Sequence, residues 1–218
     1  TLLSLNRLSR ANSEALVRQL AAKTMSLSSD LVGEIVERGD GVPLFLEEVT
    51  KTVVDAEPSQ QLGLGVARPP LSVPPTLHAS LLARLDRIGP VAREIAQIGA
   101  TIGREFSYEL TAIVAERPEH VLNDTLDRLA EAGLVFQRGE APRSSFLFKH
   151  GLLRDAAYST LLRGPRRALH ARIAQAIEEV FPEIAESQPE VVARHRTEAG
   201  LKKPATIHWQ RAGELALR

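Results

Sequence analysis

A proline-rich stretch between two regions of helical pattern is the feature that most limits how this chain folds. Five prolines and two glycines fall between Glu57 and Pro75. Proline has no backbone N–H and fixes φ, so this density is incompatible with a regular helix or strand. The sequence therefore predicts an interdomain linker over residues 58–75, with one helical subdomain over residues 1–57 before it.

The region before the linker has the apolar spacing of three helices. Its leucine, isoleucine and valine residues recur every three or four positions, which is the pattern of one buried helix face. The candidate N-caps of the first two helices are Asn12 or Ser13 and Ser29 or Asp30. Gly41 then forms a turn into Pro43, and proline suits the first position of the third helix. The apolar segment 2–5 is interpreted as the last strand of a preceding domain.

Residues 76–163 change their hydrophobic period. Two helical stripes come first, and they are followed by a short helix capped by Ser107 and by a helix that begins at Pro118 and ends before Gly133. Two short apolar runs, 134–138 and 146–149, then flank a turn and predict a β-hairpin. Three helices followed by a hairpin predict a winged-helix domain over residues 76–163.

The last part of the chain, residues 164–218, is predicted to be helical throughout. Its final two stretches begin at Pro189 and Pro204, and small residues there favour the close approach of an antiparallel helix pair. Such a pair is typical of the start of a tetratricopeptide-like repeat array. The expected fold class is therefore mainly α: a helical subdomain, a winged helix with a three-helix core and a β-hairpin, and the start of an α-helical repeat array.

Charge and composition exclude several classes of protein. The 27 basic and 27 acidic residues cancel, so no overall field attracts nucleic acid or an anionic membrane. The absence of cysteine excludes disulfides, thiolate nucleophiles and cysteine-ligated zinc. No apolar run approaches the roughly 20 residues that span a bilayer. We therefore expect a cytoplasmic protein without a membrane partner.

The chain offers no recognisable catalytic or metal-binding set. The acid pairs Glu47–Glu48 and Glu178–Glu179 are sequence neighbours, so each pair points about 100° apart on a helix, and all four carboxylates are expected to be solvated. His170, His195 and His208 fall on separate predicted helices, and no histidine pair has the spacing of one helical turn. The sequence therefore predicts no catalytic residues and no metal site.

His150 is the main candidate for a binding residue. It follows a strand-like run, Phe146 to Phe148, and precedes an amphipathic helix. The first N–H groups of a helix lack intrahelical partners, and the helix dipole favours negative charge there, so His150 is positioned to meet a phosphate. The alternative is a histidine that only packs and forms hydrogen bonds.

Several motifs resemble one protein family when they are taken in order. They are residues 41–49 (GVPLFLEEV), 73–77 (VPPTL), 83–87 (ARLDR), 102–106 (IGREF) and 148–158 (FKHGLLRDAAY). Together they resemble the carboxy-terminal half of a bacterial signal-transduction NTPase module of the STAND type, as found in adenylate/guanylate cyclase-like proteins and related transcriptional regulators. Residues 189–195 and 209–213 resemble the repeat array that follows this module.

The resemblance implies a nucleotide-dependent switch. In such proteins a P-loop core binds ATP or ADP with magnesium, a helical subdomain and a winged helix close over it, and the repeat array binds a ligand or a protein partner. It implies that Gly41 and Pro43 lie near the adenine and that His150 lies near the phosphates, although Lys149–Gly151 replaces the familiar Met-His-Asp form. Arg154 and Asp155 are added as possible supporting residues on proximity alone.

One departure from the family pattern limits what this chain does by itself. No Gly-x-x-x-x-Gly-Lys-Ser/Thr motif occurs, and no apolar strand ends in paired acids for magnesium. We therefore expect a regulatory fragment without catalysis or a cofactor of its own, whose partner is the missing P-loop core of the same polypeptide. The parent protein is expected to be an ATPase, an adenylate/guanylate cyclase, or both.

Two other functions remain open at the sequence level. A winged helix also suits a DNA-binding transcriptional regulator, but the predicted third helix, residues 119–131, carries four acids and one base, so nucleic acid is not an expected partner. The arginines at positions 163, 166, 167 and 172 form either an anion-binding patch or a solvated helix face. The other function is a nucleotide-independent protein-interaction scaffold.

Overall fold

The computed structural model of the chain describes residues 6–22, 24, 26–56, 76–140 and 143–217. The predicted linker over residues 58–75 and the predicted strand 2–5 lie outside the described residues. The contacts divide the chain into two compact units, Thr1–Arg87 and Ile88–Arg218. Each unit is described by itself.

The described residues of the first unit form four helices. They are α1 (Arg10–Ala21), α2 (Ser29–Gly39), α3 (Pro43–Ala56) and α4 (Leu77–Ile88), the last of which ends at the unit boundary. The predicted N-caps were wrong: Ser9 caps α1 and Ser28 caps α2, each accepting a hydrogen bond from a backbone N–H three residues later. Pro43 begins α3, as the sequence predicted.

The core of the first unit is aliphatic, with Ile35, Leu46 and Val49 fully buried. It also contains a charge, which corrects one expectation. Glu48 is only 1% exposed, rather than solvated, and its carboxylate pairs with the buried guanidinium of Arg84. This ion pair joins α3 to α4. Each charge is tolerated in the core because the opposite charge lies beside it.

The second unit begins with helices that pack around a small sheet. Its first elements are α5 (Pro90–Ile102), β1 (Glu105–Ser107), α6 (Tyr108–Ala115), α7 (Glu119–Glu131), β2 (Val135–Arg138) and β3 (Ser145–Phe148). The strands are antiparallel in the order β1-β3-β2. The predicted hairpin pairs as β2 with β3, whereas β1 was not predicted from the sequence.

Aromatic packing explains why the three-residue strand β1 forms. Phe106 on β1 is buried, and its ring lies 5.7 Å from the Phe146 ring and 5.3 Å from the Phe148 ring, measured between centroids. Both partners are on β3. A Cβ added to Gly99 on α5 would come within 2.7 Å of the Phe106 ring, so glycine is required for α5 to lie against β1.

Five helices complete the second unit. They are α8 (Gly151–Ser159), α9 (Arg163–Val180), α10 (Pro182–Ser187), α11 (Pro189–Glu198) and α12 (Lys202–Ala216). The turn between α11 and α12 is only three residues long, so these two helices pack as neighbours, with Val192, Ala193 and Ala205 buried. The mainly helical fold class is thus confirmed. Among the described residues, every helix is too short or too polar to cross a membrane.

Candidate functional site

His150 lies at the strand-to-helix junction that the sequence predicted. It is the N-cap residue of α8, two residues after the end of β3, with an extended backbone (φ −131°, ψ 136°). The backbone N–H of Leu153 donates to the His150 carbonyl at 3.0 Å, while the imidazole makes no capping hydrogen bond to the helix. The first turn of α8 carries no acidic side chain, so its positive dipole end is not neutralised from within the helix.

Gly41 and Pro43 form the turn between α2 and α3 in the first unit. Gly41 has φ +68°, and an added Cβ would come within 2.5 Å of the Leu8 carbonyl oxygen. The Leu8 N–H in turn donates to the Gly41 carbonyl at 2.8 Å. Glycine is therefore required here both for the left-handed backbone and for the close approach of the segment before α1.

A cleft of about 390 Å³, here called the Gly41 cleft, opens beside this turn. Its lining includes Gly41, Ser13, Val36, Glu37, Arg7 and Arg10. The hydroxyl of Ser13 is almost fully buried at 1% exposure and has no hydrogen-bond partner among the described residues. Buried hydroxyl groups are normally satisfied, so Ser13 is an exception within the described part of the first unit.

The structure separates the predicted binding residues between the two units. Gly41 and Pro43 lie in the first, and His150, Arg154 and Asp155 lie in the second. Arg154 and Asp155 form an ion pair with each other, with the Arg154 Nη2 2.5 Å from the Asp155 Oδ1. Asp155 is exposed, and the Arg154 side chain also lines a second cleft.

This second cleft, here called the Tyr158 cleft, has a volume of about 160 Å³ and lies wholly within the second unit. It is bounded by the last turn of α5 and by side chains from α8, α9 and α11. Those side chains are Arg154, Tyr158, His170, Arg194 and Glu198. No sequence motif pointed to this combination.

A chain of hydrogen bonds runs behind the Tyr158 cleft. The Tyr158 hydroxyl lies 2.9 Å from the Nε2 of His170, and the Nδ1 of His170 lies 2.8 Å from the Nδ1 of His195. The Nη2 of Arg194 lies 3.4 Å from the Nε2 of His195 and donates to the Ile102 carbonyl at 2.8 Å. His170 and His195 are 3% and 0% exposed, so α8, α9 and α11 share one buried polar chain.

The surroundings keep both histidines neutral. Burial, followed by the nearby Arg194 and Arg166 cations, lowers the pKa of His170 to about 4. Burial, followed by Arg194 and His170, lowers the pKa of His195 to about 3. The pKa of Tyr158 is raised, first by burial and then by the Glu198 carboxylate, while the neighbouring arginines oppose the shift. All three groups are therefore uncharged at neutral pH.

The sequence did contain one signal for this chain of residues. His170 lies three and seven positions before Ile173 and Ile177, so it occupies the apolar face of α9. His195 follows the buried Val192 by three positions on α11. A histidine on an apolar helix face needs a polar partner. The identity of that partner depends on how α9 and α11 pack, which the spacing of apolar residues does not specify.

Two of the four arginines at positions 163, 166, 167 and 172 form contacts within the second unit. Arg166 donates to the Leu161 carbonyl at 2.9 Å, and its guanidinium carbon lies 4.5 Å from the centre of the Tyr158 ring. Arg172 donates to the Val114 carbonyl and pairs with Glu116 at 3.1 Å. These two arginines therefore hold helices together, and they do not form a free anion-binding surface.

Comparison with known proteins gives little about function. No family model matches the chain. An uncharacterised protein of Rhizobium meliloti (strain 1021) is 27% identical over 191 residues, which cover 87% of this chain and 18% of that protein. The chain thus spans less than a fifth of the length of this relative. In that protein the similar region is one part of a much longer polypeptide.

Proposed function

We propose that the chain is a regulatory region of a STAND-type signalling NTPase, which couples the nucleotide state of a P-loop core to a repeat array that binds a ligand or partner. The assignment by region is a helical lid over residues 1–57, a linker over 58–75, a winged helix over 76–163 and the beginning of the array over 164–218. Chemistry on nucleotide belongs to the core, and this region transmits its state.

One observation carries the proposal: His150 is the N-cap of α8, two residues after β3, in a unit whose sheet has the order β1-β3-β2. A winged helix has a small antiparallel sheet of this kind; here β1 follows α5, and the hairpin of β2 and β3 follows α7. An imidazole beside a helix N-terminus whose own first turn carries no acid suits an anionic phosphate. The length of the Rhizobium relative is compatible with a region that works beside other domains.

The Gly41 cleft supports the other half of the assignment. Its volume of about 390 Å³ falls in the range of roughly 300–1,000 Å³ that is usual for small-molecule sites. The turn at Gly41 lines this cleft, and backbone groups suit the edge of a nucleobase, which forms hydrogen bonds with such groups. ATP or ADP would be held mainly by the core, since this chain lacks a P-loop and paired acids for magnesium.

The packing around His150 indicates how a signal would leave the site. α8 packs against β3 and α5. A ligand bound at the N-terminus of α8 would therefore act on a helix that these contacts hold in place. Leu153, Ala156 and Ala157 on α8 are buried in this contact. Because a packed helix moves as a body, occupation of the site by a phosphate would shift α8 and the elements after it.

The test is a comparison of His150→Ala with wild type in the complete protein. We expect weaker nucleotide binding or faster nucleotide exchange, measured with a fluorescent ATP or ADP analogue by stopped flow. His120→Ala, at an exposed position on α7, is the matched control and should leave both quantities unchanged. Equal values for wild type and His150→Ala would exclude the assigned role. Undiminished partner binding after nucleotide removal would favour a nucleotide-independent scaffold.

DNA binding is less well supported, because of the charges on α7. Four of its acids are exposed: Glu119, Asp124, Asp127 and Glu131. The one basic side chain among them, Arg128, donates to the Ile88 carbonyl at 2.6 Å. Phosphates would be repelled by such a helix in the major groove. We expect no band shift with duplex DNA at low salt, and a shift that weakens as salt increases would favour the transcriptional-regulator alternative.

A further inference from the structure

The Tyr158 cleft presents hydrogen-bond donors on one side. Arg154 on α8 and Arg194 on α11 both line it, and guanidinium groups donate but never accept. The hydroxyl of Tyr158, also on α8, lies at the end of the buried histidine chain and lines the same cleft. Three donors around a small opening favour a carboxylate or another oxyanion.

Arg194 fixes the direction of the histidine chain. Its Nη2 donates toward the His195 Nε2, so that nitrogen must carry the lone pair and the His195 Nδ1 must carry the proton. The His195 Nδ1–H then donates to the Nδ1 of His170, and the Nε2–H of His170 donates to the Tyr158 oxygen. The opposite direction would bring the His195 Nε2–H against the Arg194 donor.

Because the Tyr158 oxygen accepts a hydrogen bond from His170 in this arrangement, the hydroxyl hydrogen of Tyr158 is not used in that bond. Among the described residues no other acceptor lies within hydrogen-bond distance of that hydroxyl. The tyrosine lines the cleft, so the acceptor must be a water molecule or a ligand there. The buried chain thus orients one more donor toward the cleft.

The same cleft also presents acceptors. It is lined by Ala100 and Thr101 in the last turn of α5, where backbone carbonyls lack intrahelical partners and the helix dipole is negative. Glu198 adds a carboxylate. Although it follows Arg194 by four residues on α11, no ion pair joins the two among the described residues, because Arg194 is turned onto the Ile102 carbonyl.

We propose that the Tyr158 cleft binds a small α-amino acid zwitterion. Its carboxylate accepts hydrogen bonds from Arg154, Arg194 and the Tyr158 hydroxyl. Its ammonium group donates to Glu198 and to the carbonyls at the end of α5. A simple anion would leave Glu198 close to a like charge, and a simple cation would leave two arginines beside it. A zwitterion matches both sides.

The size of the cleft supports a ligand of this scale. Its volume of about 160 Å³ is below the roughly 300–1,000 Å³ of sites for drug-sized molecules, so the ligand has few heavy atoms. Donors and acceptors line one small opening, and therefore the two charges of the ligand must be only a few bonds apart. An α-amino acid has this separation.

The experiment is isothermal titration calorimetry of the whole chain with each standard α-amino acid in turn. We expect at least one of them to bind, and its counterparts that lack either the amino group or the carboxylate to bind at least about tenfold more weakly. For alanine these counterparts are propionate and ethylamine. Equal binding of the carboxylic acid would overturn the zwitterion in favour of a plain anion site, and absence of binding by every amino acid would overturn the site itself.

Variants connect any binding to this cleft. Tyr158→Phe keeps the ring and removes only the donor, and Glu198→Gln removes only the charge, so each is expected to weaken binding about tenfold or more. Arg163→Gln on α9 and Glu190→Gln on α11 are exposed controls outside the cleft and should bind like wild type. Binding that is unchanged in both Tyr158→Phe and Glu198→Gln would overturn the proposal. Circular dichroism verifies that each variant is folded.

Discussion

Mild acid is expected to destabilise the second unit through His170 and His195. Both histidines are buried and neutral in the folded chain, with pKa values of about 4 and 3. In the unfolded chain each returns to about 6.5. The unfolded state therefore binds more protons below that pH, so stability is fully present above about pH 6.5 and falls as the pH decreases toward the folded values.

The size of the loss follows from the unfolded pKa alone, as long as both folded pKa values stay below the test pH. At about pH 5 each unfolded histidine is almost fully protonated, whereas the folded one is not, which costs about 2 kcal/mol per histidine. The pair accounts for about 4 kcal/mol between about pH 7.5 and pH 5. That is a large part of a typical domain stability of about 5–15 kcal/mol.

The assay is urea unfolding at several pH values, followed by far-UV circular dichroism and by the fluorescence of Trp209. This tryptophan is the only one in the sequence, and its Nε1 donates to the Thr197 Oγ1 at 3.1 Å on the same helix as His195. His195→Gln is expected to lose about half of the pH dependence. His120→Gln, an exposed control on α7, should keep all of it. The same slope of stability against pH in wild type and His195→Gln would refute the reasoning.

Two further predictions use the same unfolding assay. The added methyl group of Gly33→Ala on α2 has no atom within 4 Å, so this variant should stabilise the chain by about 0.5–1 kcal/mol. The methyl group of Gly99→Ala on α5 would collide with the Phe106 ring, so this variant should destabilise the chain by about 1–3 kcal/mol. Equal effects of the two substitutions on the free energy of unfolding would contradict this reasoning. Arg84→Met removes the buried partner of the Glu48 carboxylate, leaving only the more distant Lys51 at 3.8 Å, and should cost about 3–5 kcal/mol, most of it recovered by adding Glu48→Leu. A cost below about 1 kcal/mol would show that the pair contributes little.

Long apolar periods made the helices predictable, and short elements were less so. The stripes of α4, α5 and α7 extend over three or more turns, so their spacing predicts a helix without knowledge of the packing. The strand β1 has only three residues, and its place in the sheet depends on Phe106 meeting Phe146 and Phe148. That contact joins residues about forty positions apart, so no local pattern indicates it.

The polar core was hidden from the sequence for the same reason. Glu48 belongs to an acid pair that resembles a solvated helix face, yet its partner Arg84 lies 36 positions later. His170 and His195 are separated by 25 positions and meet only because α9 and α11 pack together. His150, in contrast, was predicted at its N-cap position, because the change from a strand to a helix pattern is a local feature.

The two proposed ligands would act on one short helix, so they should influence each other. His150 is the N-cap of α8 and Tyr158 lies in its last turn, a distance of about 12 Å along a nine-residue helix. Suppose that a bound amino acid changes the affinity of the complete protein for nucleotide by some factor. Bound nucleotide must then change the affinity for the amino acid by the same factor. The two titrations, each with and without the other ligand, measure both factors. Equal affinities with and without the other ligand in both titrations would mean that α8 transmits no signal between the two sites.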